Sequence, residues 1–318
     1  MTTYNEIKGD VIEKVSSDPA NPNEGDIWYN STTGVLKGYQ SIADAWASGG
    51  NLGTARGHGA GFGIQTAAVA VAGTPAPTTG SENYNGTSWT SSGSLNTART
   101  YLAGCGTQTA GVVFAGYSPP ISTYTGATEK YNGSSFTNSG SLGTSGAFVA
   151  GLGTQTAALC VGGENRSTST EEYNGSTWGT GGTYPVGTTR FSGCGLQTAG
   201  LAFGGATPSI VSTTNEYDGS TWTAGGNLTV ATKELASAGI QTAALAFGGT
   251  NPTAITGVTQ KYDGTSWTNT TSMTTARSYL MGCGTQTAGL TFGGRFPSSS
   301  ATEEFTGAYI STKTITTS

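Results

Sequence analysis

At 318 residues, with 13 Lys and Arg against 18 Asp and Glu, the chain carries a formal net charge of -5, and only 10% of it is charged. Without a basic stripe to neutralise phosphates nucleic acid is not an expected partner, no apolar run approaches a membrane span, and 4 cysteines in a chain this long make no disulfide framework. The 52 glycines, with abundant Thr and Ser, favour short strands and tight turns over helices, so the expected class is all-β.

Residues 1–24 are polar and hold no apolar stretch long enough for a signal-peptide core, so they read as a docking arm without a core of its own. Residues 25–47 are expected to form a hairpin, with Trp28 and Tyr29 on its first arm, and then a ring-closing outer strand at Trp46. The spacing from Trp46 to Leu52 equals that from Trp89 to Leu95, which makes Trp46 the outermost strand of a sheet whose inner strands lie at the far end of the chain. The C-terminal stretches 302–305 and 309–315 compete for the same place.

Residues 48–318 are dominated by a repeat. A segment Gln-Thr-Ala-Ala/Gly, followed by a short apolar run and a pair of small residues, recurs at Gln65, Gln108, Gln155, Gln197, Gln241 and Gln286. The intervals of 43, 47, 42, 44 and 45 residues match four-stranded propeller blades and exceed the periods of most helical solenoids. In the second repeat, 101–105 is a strand of small residues turned back by Gly106-Thr107-Gln108-Thr109, and 110–114 is a second strand ending at Ala115-Gly116. After a variable loop, 127–131 gives a third strand, Asn132-Gly133 a two-residue hairpin turn, and Phe136 opens the fourth. The hairpin recurs with a Tyr before it and a Trp after it, large side chains expected to fill the space between neighbouring sheets.

These residues resemble the kelch repeat: a basic residue opening the innermost strand, an apolar strand ending in Gly-Gly, then a Tyr and a Trp in the outer pair. The resemblance spans about residues 46 to 310. It departs from the family in an Ala-rich second strand and in Gly146, which stands where the third repeat needs its basic opener. It implies a six-bladed kelch-like β-propeller with a short N-terminal extension, and leaves function open.

In such a blade the first and third turns share one end, and here they hardly vary. The length variation lies at the opposite end, where recognition usually resides. That face carries Tyr117, Pro119, Pro120, Tyr124, Asn165, Arg166, Tyr184, Arg295 and Phe296 as candidate ligand contacts. Arg56, Arg99, Arg190, Lys233 and Arg277 converge there as an axis-proximal basic ring, able to receive an anionic glycan or to tie down carbonyls between blades. Cys105, Cys194 and Cys283 hold one position in alternate repeats and read as packing, so neither a metal nor another cofactor is expected. Glu82, Glu129, Glu171 and Glu303 recur two residues before the repeat aromatic and are expected to be solvated, not a catalytic pair. His58, the 1 histidine, has no Cys or Ser constellation and is expected at the surface or lining the channel. The chain reads as non-enzymatic.

The segment Asn23-Glu24-Gly25-Asp26-Ile27-Trp28-Tyr29-Asn30, with its Thr-rich turn and Leu36-Lys37, looks like one common in virion proteins of tailed bacteriophages, especially tail fibres and appendages. The Ala-rich Gly-Thr-Gln-Thr-Ala-Ala-Leu-Ala-Phe-Gly-Gly type of repeat is similar to blades of marine phage structural proteins. The resemblance implies a virion structural protein assembled in the host cytoplasm. It would be oligomeric in the particle, held to other virion proteins through residues 1–24, and turn its variable face to a host-surface glycan or protein. The alternatives are a carbohydrate-active propeller enzyme, sialidase- or galactose-oxidase-like, and a purely architectural decoration protein.

Overall fold

The structure is a computed structural model in which residues 12–75, 79–119 and 122–315 are described. The regular structure among them is all β, arranged as seven four-stranded sheets and one two-stranded ribbon, with no α-helix. The chain divides into two compact units, Ala45–Thr306 and Met1–Asp44 with Gly307–Ser318.

The larger unit holds six sheets of one design. In the second, Ala103–Thr107, Ala110–Phe114, Thr128–Tyr131 and Phe136–Ser139 pair antiparallel in sequence order. The first strand alternates buried and half-buried residues, whereas the second is buried after its first residue, because it is covered on both faces. Small side chains there let neighbouring sheets come close. A Cβ on Gly111 would stand 2.2 Å from the ring of Phe62 in the sheet before it. The first strands lie side by side around the unit, Ala60–Ile64, Ala103–Thr107, Ala150–Thr154, Ser192–Leu196, Ala236–Ile240 and Met281–Gly284, and the last abuts the first. No sheet closes on itself through hydrogen bonds; the arrangement is compatible with a propeller-like fold.

Two recurring side chains join the sheets. Each repeat glutamine donates its Nε2 protons, over 2.5–3.1 Å, to two carbonyls of the preceding sheet: Gln108 to Ala68 and Tyr84, Gln155 to Gly111 and Tyr131, and Gln65 to Gly289 and Phe305 of the last sheet. Each outer-strand indole donates to a threonine of the preceding sheet, as Trp89 does to Thr302 and Trp267 to Thr214, at 2.9 and 3.0 Å. These bonds satisfy polar groups that the sheet interfaces would otherwise bury unpaired.

The sixth sheet, Met281–Gly284, Ala288–Phe292 and Thr302–Thr306, takes its outer strand from Ala45–Ser48, with Trp46 opposite Phe305. The C-terminal strand Tyr309–Ile315 pairs instead with Val35–Ile42 in the smaller unit. That unit is one mixed sheet in the order Glu13–Val15, Ile27–Asn30, Val35–Ile42, Tyr309–Ile315. Residues 1–11 of the expected arm lie outside the described residues, but 12–24 are not a free segment. Glu13–Val15 runs parallel to Ile27–Asn30, and the Asp18 carboxylate accepts from Trp28 Nε1, Asn30 Nδ2 and Lys37 Nζ at 3.1, 2.8 and 2.6 Å. These donors, Lys37 foremost, hold the Asp18 carboxyl down to about 2.

Candidate functional site

Six crossings of one backbone design lead into the first strands of the larger unit. The residue that opens each is Arg56, Arg99, Gly146, Thr188, Thr232 or Arg277, and the next residue bridges to the loop that follows the second strand, as Gly57 does to Thr74 and Ser278 to Arg295. One residue further stand His58, Tyr101, Phe148, Arg190, Glu234 and Tyr279, all in the left-handed region with φ of 51–61°. Their backbones form a closed ring of hydrogen bonds. The N–H of Tyr101 donates to His58 C=O, Phe148 to Tyr101, Arg190 to Phe148, Glu234 to Arg190, Tyr279 to Glu234, and His58 back to Tyr279, all at 2.7–3.1 Å.

This conformation suits glycine and costs a residue with a Cβ about 1–2 kcal/mol. The protein uses glycine for that purpose elsewhere: the first residue of the small pair after the second strand is Gly162, Gly204, Gly248 or Gly293 in four repeats, also with positive φ. At the ring none of the six is glycine, and five different residue types are used.

The six side chains line a cavity of about 110 Å³ with Leu102, Val149 and Phe191 among its other walls, and these three residues also line a second cavity of about 230 Å³ walled by the first strands. His58 packs edge-on against Tyr279 and Tyr101, with centroids 4.0 and 4.5 Å apart, and Tyr101 stacks on Phe148 at 4.0 Å. The Arg190 guanidinium lies 4.9 Å from the Phe148 ring centre and pairs with Glu164 at 3.0 Å, which also accepts from the Tyr124 hydroxyl at 3.1 Å. Glu234 accepts a hydrogen bond from Thr250 Oγ1 at 2.9 Å and has Lys233 Nζ at 3.4 Å. Burial and that carboxylate push the Tyr279 phenol up. Thr74 Oγ1 is shared by His58 Nδ1 and Arg295 Nη1, at 2.9 and 2.8 Å. Burial, then the charges of Arg295 and Arg190, lower His58 to about 3, so the imidazole is neutral at pH 7.

Of the sequence-predicted face, Tyr117, Tyr124, Arg295 and Phe296 belong to this neighbourhood. Tyr117 and Tyr124 face each other across a two-stranded ribbon, and Arg295 lies over the ring of Phe296, which is 62% exposed. Asn165 is exposed and donates to Ser145 C=O at 3.0 Å. Pro120 lies outside the described residues. Tyr184 and Arg166 are corrections, since both are buried. Tyr184 packs against Trp222 and Phe191 and receives the Asn215 side-chain amide, while Arg166 pairs with Glu171 at 3.3 Å.

The basic ring is also corrected. Arg56, Arg99 and Arg277 are buried and hold Glu82, Glu129 and Glu303 at 2.6, 2.7 and 2.8 Å, while donating to carbonyls of their own sheet such as Gly80, Ala115 and Ala301. Arg190 stands two positions further on and Lys233 one, so the five cations do not share one place. The glutamates expected in solvent are buried partners. Where the opener is not Arg the partner changes with it: Thr188 and Thr232 accompany Asn215 and Gln260, and Arg166 fills the space left by Gly146, where a Cβ would come within 2.8 Å of its side chain. Buried charge is thus matched sheet by sheet, as desolvation requires. Cys105, Cys194 and Cys283 sit in three separate core clusters, and burial pushes their thiols up. No group of three or more metal-ligating side chains occurs among the described residues.

Tyr101, Phe148, Glu234 and Tyr279 escaped sequence reading. Their column, two residues past the opener, varies no more than the column before it (Gly57, Thr100, Ala147, Thr189, Lys233 and Ser278), so the sequence alone did not mark it. No protein-family model matches the chain, and no curated protein matches it significantly.

Proposed function

We propose that this chain is a non-enzymatic virion protein of a tailed bacteriophage, a tail fibre or a tail or capsid appendage. Its repeat unit is a six-bladed kelch-like β-propeller displayed for host-surface recognition and anchored to other virion proteins through its N-terminal segment. The observation that carries recognition is the ring at 58, 101, 148, 190, 234 and 279, where glycine would be cheapest and functional side chains stand instead. Backbone strain kept at six positions around one cavity is the mark of a site, not of a scaffold. The virion assignment rests on the resemblance of residues 23–37 and of the repeats to phage structural proteins. Immunogold electron microscopy of purified virions with antibody to this chain should label tail or capsid, and virions free of the protein would overturn the assignment.

A second reading, a sialidase-like enzyme, is favoured by one observation: Tyr279, Glu234 and Arg190 occupy consecutive ring positions on one cavity wall. Against it, the phenol is pushed up instead of down, away from a nucleophile's need. Turnover of a sialylated substrate, abolished by Tyr279→Phe, would establish the enzyme and displace the binding protein.

A further inference from the structure

We propose that the corner of the cavity mouth formed by Arg295, Phe296, Tyr279 and His58 is a subsite for an acidic sugar, whose carboxylate pairs with Arg295 and whose ring lies against Phe296. The inference deepens the host-recognition reading and rests on it for its biological setting, though not for its chemistry.

Among the arginines, Arg295 stands apart. Arg56, Arg99, Arg166, Arg190 and Arg277 each hold a glutamate, and Lys233 has Glu234. Arg295 forms no ion pair among the described residues; one Nη donates to the neutral Thr74 hydroxyl, and its charge reaches His58. Its Nε is buried, so the half-buried guanidinium offers its remaining Nη protons to a carboxylate, a contact stronger there than in bulk water.

The aromatic side of the corner is open where Arg295 does not cover it. Phe296 is the most exposed of the large hydrophobic side chains among the described residues, and its backbone has a φ of 65°, a conformation a bulky residue adopts only under constraint. Its ring centre lies 6.2 Å from that of Tyr279, which in turn meets His58 at 4.0 Å. The result is an apolar platform with a cation at one edge and a neutral imidazole below. A pyranose acid matches it, having one apolar face of C–H groups and one ring carboxylate. An extended acidic peptide would need a groove, whereas the cavity beneath measures about 110 Å³.

His58, the 1 histidine in the chain, gives an unambiguous probe. The full-length protein would be titrated at pH 7 with sodium glucuronate, N-acetylneuraminate, galactose and acetate, following the His58 ring resonances by NMR. One or both sugar acids should shift them saturably, and the two arms distinguish a uronic from a sialic source. Galactose and acetate, each lacking half of the recognition, should bind at least tenfold more weakly. Arg295→Gln and Phe296→Ala should each weaken the acid at least tenfold while the thermal unfolding midpoint stays unchanged. No response to either sugar acid, or equal binding by Arg295→Gln, would overturn the subsite. Virions that adsorb to host cells although the purified protein ignores both acids would sink this inference and leave host recognition standing. Sugar-acid binding by a protein missing from virions would do the reverse.

Discussion

The two ends of the first strands make the most instructive contrast in the molecule. At one end six glutamines do the same thing, each clipping two carbonyls of the preceding sheet. At the other, six backbones do the same thing in a closed hydrogen-bonded ring, yet they carry His, Tyr, Phe, Arg, Glu and Tyr. Constancy of both backbone and side chain marks a structural duty. Constant backbone with varied side chains, at a strained φ, marks a place where chemistry has been kept at a cost in stability.

That contrast can be broken by substitution, and the largest effect is expected in the scaffold. Arg99→Thr leaves Glu129 buried without its cation and should cost about 3–5 kcal/mol in urea unfolding. Adding Glu129→Asn to Arg99→Thr, the combination already present as Thr188 with Asn215, should restore more than half of that loss. If the double variant is no better than the single, charge matching is not what links the two positions. Next in size is Gln241→Ala, which removes two bonds to Gly200 and Tyr217 and should cost about 2 kcal/mol by the same measurement.

A smaller effect is expected from pH. His58 is about 3 when folded and near 6.5 when unfolded, so between these values the unfolded chain binds more protons. The stability His58 contributes is present above about pH 6.5 and is lost as pH falls through that window, about 1–2 kcal/mol by pH 5. His58→Gln should remove that component of the slope between pH 7 and 5 in thermal unfolding. Smallest is Phe148→Gly, where relief of a φ of 55° offsets lost stacking on Tyr101. A change within about 1 kcal/mol is expected, and a loss several times larger would make the ring part of the scaffold after all.

Much of the sheet pattern was legible from residue spacing. The strand Ala110–Phe114, the hairpin at Asn132-Gly133 and the position of Trp46 beside the last repeat all follow from local signals: apolar runs, turn residues and fixed offsets. The candidate site was legible only in part. Arg295 and Phe296 stood out because they lie where repeat length varies, but Arg166 in the same kind of loop and Tyr184 in a crossing at the same end turn inward. Loop membership does not carry the direction of a side chain. Glu82 and Glu129 resembled solvated strand residues because a carboxylate two positions from an aromatic looks alike whether it faces water or an arginine 26 or 30 residues away.

The sequence by itself determined the repeat, its four-strand composition, its turns and its inter-sheet aromatics, because these are encoded within a single 42–47-residue period and need no partner outside it. Only the tertiary structure decided which charges are spent inside the scaffold and which remain at the cavity mouth. The ring from His58 to Tyr279 exists because six crossings meet around one cavity, and Arg295 is left without an anion because every neighbouring carboxylate is already engaged. Both are properties of convergence between distant segments, which no local pattern in the chain records.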